Sequence, residues 1–162
     1  MSWQTEMTTM LRVVINDIVA PYTYTDERLQ QVIVVAAQLM LNDISFAVDY
    51  SIDITNVDIS PDPTDATRDD AFINLGVLKS GCFMDSSLFR TKAASAGMLI
   101  KTGPHTVDTK GVMDAYKVLL EKGLCKAYED AKWEYEAGNL SPGRAILGPF
   151  AGINIDTSQG HI

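Results

Sequence analysis

Histidine is almost missing from this sequence. Of 162 residues only two are histidine: His105, which follows a Gly-Pro pair, and His161. Neither has a nucleophile or an orienting carboxylate beside it, which removes the commonest general base and metal ligand from most catalytic arrangements. Cysteine is equally scarce. Cys82 and Cys125 lie in separate apolar helical patterns without metal-ligand spacing, which excludes a structural zinc site and reads as two buried thiols. No apolar run reaches the eighteen or so residues of a membrane span, the longest, Val32 to Leu41, being interrupted by Gln38. The opening MSWQTEMTTMLR has neither a basic start nor a continuous apolar stretch, so no secretory signal is expected and the chain reads as made in, and kept in, a cytoplasm. Basic residues are also few: 13 Lys and Arg against 21 Asp and Glu leave a net charge of -8. That is the wrong sign for gripping nucleic acid, which needs clustered cations to displace counterions. The glycines form neither a phosphate loop nor a dinucleotide fingerprint, so no cofactor is expected.

What is present is a chain of one-domain length, 46% hydrophobic and 21% charged, with strong helical periodicity. Trp3, Met7, Met10, Leu11, Val14, Ile15 and Ile18 recur at three- and four-residue steps, predicting a first helix over residues 2–18 with Ser2 as N-cap, ended by Pro21. Thr25, followed by Asp26 and Glu27, opens a second helix running to about residue 41. Apolar residues around much of its circumference, Leu29 to Met40 with Val35 and Leu39 among them, predict that it is the central helix. From Tyr50 the period changes to two, predicting a strand over residues 50–54, with residues 98–101 as a candidate partner. A third helix is expected over residues 69–84, a short one over 87–96, and a long last helix over 112–137 with Tyr116, Leu120, Leu124, Tyr128, Ala131 and Tyr135 on its buried side. The expected fold is mainly α: a bundle of four to five helices over residues 1–138, with a small β-hairpin or two-stranded element and an extended C-terminal arm over residues 139–162.

Two acidic clusters are candidate sites. The turn containing Asp58, Asp62, Asp65, Asp69 and Asp70 resembles a calcium loop only superficially, because Pro63 stands where such a loop needs glycine and no glutamate closes it, so capping and solvation are the expected roles. Glu129, Asp130, Glu134 and Glu136 share the last helix with Lys126 and Lys132, the pattern of a solvated face with four-residue ion pairs.

The arm poses a different problem. Gly138, Pro142, Gly143, Gly148, Pro149 and Gly152 oppose a helix, yet Ile146, Leu147, Phe150, Ile153 and Ile155 would each gain roughly 1.5–3 kcal/mol on leaving water. Residues 145–155, AILGPFAGINI, carry no charge, unlike disordered tails, which are polar and charged. Fully extended, the roughly 24 residues of the arm would reach about 80 Å. Order upon assembly with another molecule, by strand addition or groove binding, accounts for both features, with Arg144 anchoring the base of the arm.

The helical order and several stretches resemble the head-to-tail connector (adaptor, head-completion or neck) proteins of tailed bacteriophages: LRVVIND (Leu11 to Asp17), YTDERL (Tyr24 to Leu29), the helix around VVAAQ, ISPDPTD, DDAFINLGVLKSGC ending at Cys82, and AGMLIKTGPHTVDTKG (Ala96 to Gly111). They cover roughly residues 10 to 130, and none is a catalytic signature. The resemblance points to a phage of a cyanobacterium or other marine host. It implies a non-enzymatic virion protein of the neck, made in the host cytoplasm and assembled as a ring, usually of twelve copies, beneath the portal. The C-terminal segment, residues 139–162, would engage the portal protein, and a downstream tail or neck protein would dock below. DNA would pass through without specific binding. Twelve copies at -8 each would put roughly -96 on the ring, letting DNA slide along a like-charged wall, with Glu129, Asp130, Glu134 and Glu136 as candidate channel-facing acids. The alternatives are a small helical regulatory or scaffolding domain that binds a peptide partner, and a metal-dependent hydrolase using the aspartate turn.

Overall fold

The structure, a computed structural model, describes residues 2–65, 67–96, 118 and 121–140. Within them the chain is mainly helical, as expected, with one small antiparallel sheet. The elements are α1 (Trp3–Val14), α2 (Asp26–Asp43), β1 (Ser51–Asp53), β2 (Asp58–Ser60), α3 (Asp70–Ala96) and α4 (Leu124–Leu140).

Helix α1 buries Trp3, Met7 and Leu11 on the expected face. It ends four residues earlier than its periodicity predicts, because Asn16 takes a left-handed conformation, φ 59°. There the Asn16 amide donates to the Val13 carbonyl at 3.1 Å and the Asp17 amide to the Arg12 carbonyl at 2.8 Å, a glycine-type helix stop that asparagine tolerates. Ile18, expected on the inner face, is instead 55% exposed. At the other end Ser2 occupies the cap position without a side-chain cap bond. The free amide of Trp3 donates to Asp62 at 3.1 Å, so a carboxylate 59 residues away faces the positive end of the helix.

Helix α2 starts where Thr25 predicts, its hydroxyl accepting from the Arg28 amide at 3.4 Å. It buries Leu29, Ile33, Ala37 and Met40 but leaves Val35 39% and Leu39 43% exposed. The central helix is α3, which packs against α1, α2 and α4. Two expected helices, residues 69–84 and 87–96, are this single one, since no Pro or Gly lies between Met84 and Ser87 to break it. Asp69 caps it: its carboxylate accepts from the Phe72 amide at 3.0 Å and from the Tyr50 hydroxyl at 3.0 Å.

The strand expected over residues 50–54 is β1, and its partner is β2, inside the segment read from sequence as a turn; residues 98–101 lie outside the described residues. The register pairs Ile52 with Ile59 and Asp53 with Asp58. Ile59 is buried and Ile52 half-buried against the core, a cross-strand pair on one face of the hairpin. The opposed aspartates would repel, but each has donors: Asp53 accepts from the Thr55 and Asn56 amides at 2.9 and 3.0 Å, and Asp58 from the Trp3 indole at 3.4 Å.

The long last helix is not continuous. Residues 118, 121 and 122 are helical, the chain bends at Gly123, and α4 then runs from Leu124 through Gly138 to Leu140. Gly123 offers its carbonyl to the Ala127 amide at 3.0 Å, acting as an N-cap where glycine is favourable rather than as an interior residue where it is not. The reading of two buried thiols is also overturned. Cys82 and Cys125 form a disulfide with a Cα–Cα distance of 4.5 Å, tying the start of α4 to the middle of α3. The two sequence patterns that carry these cysteines pack together, so the sulfurs meet.

Candidate functional site

The face of α4 turned away from the bundle is built by the same spacing that docks its inner face. Leu124, Tyr128, Ala131 and Tyr135 face inward. Tyr128 is buried, Ala131 and Tyr135 pack against the core, and Leu124 approaches Gly81 so closely that a Cβ there would sit 2.6 Å from Leu124 Cδ1. Apart from Cys125, which turns to α3, and the half-buried Lys132, the residues between them face outward. Glu129, Asp130 and Glu134 are exposed and Glu136 is half-buried, so three of the four acids expected on an accessible face lie on one. Asp130 forms an ion pair with Lys126 one turn earlier. Among them stands Trp133, 70% exposed, which the sequence reading did not single out. Its signal was available: a tryptophan falling off the 128–131–135 apolar stripe either fills a second contact or is displayed. Trp133 stands beside Lys132 and between the acids of this face, a single exposed aromatic of the kind common on protein surfaces.

Four of the five acids of the aspartate turn hold the fold, while Asp65 is exposed. Asp58 and Asp62 bind Trp3, Asp69 caps α3 and accepts from Tyr50, and Asp70 pairs with Arg68, which also pairs with Glu6 on α1. Burial pushes the Asp62 carboxyl upward, but bonds from the Thr64 hydroxyl and amide and from the Trp3 amide outweigh it and hold Asp62 below the usual carboxylate range. Arg68 does the same for Glu6 through their hydrogen bond. Among the described residues no three of His, Cys, Asp and Glu come together as a metal site needs.

A second polar centre joins α1 to the loop before α2. The Arg12 guanidinium bonds the Asp17 carboxylate at 2.8 Å, the Tyr24 carbonyl at 2.8 Å and the Asp26 carboxylate at 2.6 Å, and lies 4.2 Å from the Tyr22 ring centroid. The Thr23 amide donates to Asp17 at 2.8 Å; that bond leads, with help from Tyr24 and Arg12, in lowering the Asp17 pKa. This is a structural lock, with both acids and the cation mutually occupied. Between α2 and α3 lies an open cleft of about 380 Å³ with an apolar floor of Val32, Val35, Phe83 and Leu88 and with Tyr24 and Arg28 at its rim.

Arg144, Ile146, Leu147, Phe150, Ile153 and Ile155, proposed from sequence to engage a partner, lie outside the described residues, as do His105 and His161. No protein-family model, curated protein or solved structure matches this chain. Among the described residues no helix is long and apolar enough to cross a membrane.

Proposed function

We propose that this protein is a non-enzymatic connector of a tailed-phage neck, assembled as a ring beneath the portal and docked to it by the chain after α4. The observation that carries the reading is the uncharged run at residues 145–155, which follows a helix whose outer face is acidic. An apolar segment that lacks the composition of a solvated tail requires a surface to cover it, and the resemblance supplies the portal as that surface. The acidic face of α4 fits a wall along which DNA slides without sticking, because like charges at a channel surface disfavour adsorption. The engagement of the aspartate turn in caps and ion pairs supports the non-catalytic reading over a hydrolase.

Because α4 runs to Leu140, the informative truncation removes residues 141–162 and spares the helix. The truncated protein is expected to keep its helical signal and melting behaviour and to lose co-sedimentation with the portal. Undiminished co-sedimentation sinks the proposed role of the arm. In solution or on the portal, twelve copies of 17.7 kDa form a species of about 210 kDa. The α2–α3 cleft favours a second reading, a scaffolding domain that takes an apolar peptide. A chain that stays monomeric with and without portal, yet binds such a peptide at this cleft, would establish that reading instead.

A further inference from the structure

Helix α4 is attached to α3 and its surroundings at three levels. Near its start Cys125 is bonded to Cys82. About one turn on, the Lys79 ammonium lies 4.2 Å from the Tyr128 ring centroid, and two turns further the Tyr135 ring lies 5.2 Å from that of Phe46. The middle attachment carries a penalty, since the Tyr128 hydroxyl is buried and has no hydrogen-bond partner, which opposes docking. A helix of 17 residues is marginal on its own in water. The covalent bond therefore secures a helix whose other contacts hold it less than their area implies.

The bond is also not sealed from its surroundings. Both cysteines are half-buried rather than sealed in the core. The Cys125 sulfur lies 3.7 Å from the Ser86 hydroxyl and 3.5 Å from the Cys82 carbonyl oxygen. A hydroxyl that can donate to a departing thiolate and a carbonyl that can accept from the resulting thiol are both in place at the same atom.

We propose that Cys82–Cys125 is a reversible thiol–disulfide latch that sets how firmly α4 docks on α3, opened and closed by a low-molecular-weight dithiol/disulfide couple. On opening, a thiolate of the reductant attacks Cys82 Sγ. The S–S bond breaks, and its electron pair leaves on Cys125 Sγ, beside Ser86, where it takes up a proton. The reductant's second thiol, as thiolate, then attacks its own sulfur in the mixed disulfide and releases Cys82, which is protonated in turn. The protein gains two electrons and two protons, and the dithiol becomes a cyclic disulfide. Opening frees a loop closed over a separation of 43 residues and loosens the helix that carries Glu129, Asp130, Trp133 and Glu134. The inference rests on the contacts of α4 and the groups around the two sulfurs, and does not depend on the connector reading.

Backbone hydrogen exchange of the full chain, compared before and after dithiothreitol, tests it. Exchange across residues 124–140 is expected to accelerate tenfold to a thousandfold on reduction, while α1, α2 and the hairpin change by no more than about twofold. Oxidised dithiothreitol should restore the original pattern. The Cys82→Ser/Cys125→Ser variant should match the reduced protein and ignore reductant. If that variant does not fold, titration of the unaltered chain still decides. Unchanged exchange in α4, equal acceleration everywhere, or failure to recover on reoxidation each overturns the latch.

Discussion

Replacing Tyr128 by phenylalanine removes one oxygen from the interface between α3 and α4, and the structure predicts that the protein becomes more stable. Tyr128 is 1% exposed and its hydroxyl has no partner. A hydroxyl taken from water into such a site without a new bond costs about 1–3 kcal/mol. Deleting it leaves a void of one oxygen, worth a few tenths of a kcal/mol at about 24 cal/mol per Å³. The Lys79 contact survives, because the face of a phenylalanine ring also attracts a cation. The net expectation is a gain of about 1 kcal/mol, which for a chain of this length raises Tm by about 2–4 °C. Thermal unfolding followed by circular dichroism measures it, with Tyr128→Leu, which loses the ring and the cation contact, as the control expected to melt lower. A second signature lies at alkaline pH. Burial, with Asp43, Glu129 and Glu136 adding to it, pushes the Tyr128 pKa from 10.0 up to about 12. The folded state thus holds its proton longer than the unfolded one, and stability present below pH 10 is lost as pH rises toward 12. Tyr128→Phe should flatten that decline in part, since the Tyr50 phenol is also raised by burial and by Asp69. A lower Tm for Tyr128→Phe, or an unchanged alkaline decline, would show that the hydroxyl has a partner in the folded state.

Phe72 is fully buried, with ring centroids 4.0 Å from Tyr50 and 5.3 Å from Phe46; Phe72→Ala should cost about 3–5 kcal/mol in urea unfolding, and a loss under 1 kcal/mol would place it outside the core. Asp62→Ala should cost about 1 kcal/mol and fray the first turn of α1, seen as faster exchange of the Trp3 amide, because the cap it removes is the one Ser2 does not make. Arg12→Lys keeps the charge but not the planar fork that reaches Asp17, Tyr24 and Asp26 together, so it should lower Tm nearly as much as Arg12→Met. On the acid side Glu6, Asp17, Asp53 and Asp62 all sit below their usual values in the folded state. Their contribution is therefore complete above the unfolded carboxylate range and is lost as pH falls through it, so the urea midpoint should drop between pH 5 and 3.

Elements were legible in the sequence wherever one periodicity ran uninterrupted. Trp3, Met7 and Leu11 announce the inner face of α1, and Tyr128, Ala131 and Tyr135 that of α4. Their ends were less legible, because an end depends on single residues in unusual conformations. Asn16 stops α1 by going left-handed, while Gly123 breaks a helix that periodicity carried straight through. The choice of central helix failed for a related reason. The apolar circumference of α2 predicts all-round burial, yet Val35 and Leu39 stay on the surface, and α3, less uniform to the eye, takes the middle. Partners distant along the chain were not legible. Asp62 at Trp3, β2 opposite β1 and Cys82 bonded to Cys125 are products of packing, which no local period encodes. The last of these can be rationalised afterwards. Lys79 meets Tyr128, and three residues later on α3 Cys82 meets Cys125, three residues earlier on α4. Equal steps in opposite directions describe two antiparallel helices, and that register was hidden until one pair of contacts fixed it.

The net charge of -8 divides into acids with different work, and this division gives the connector reading its sharpest test. Asp58, Asp62 and Asp69 each accept hydrogen bonds that hold α1, the hairpin or α3, so reversing them should melt the fold and say nothing about DNA. Glu129 and Asp130 are exposed on α4, as is Glu134, and reversing these three to lysine changes the formal charge from -8 to -2 while sparing the core. Together with Lys126 and Lys132 the variant would carry a row of cations along one helix, enough to bind duplex DNA with an affinity that falls steeply with salt. If the protein is the proposed connector, the same substitutions should slow genome release from assembled particles, because a wall proposed to repel the passing phosphates would now hold them. A variant that folds, assembles and releases its genome at the unaltered rate would remove α4 from the channel, and with it the physical reason for an acidic face there.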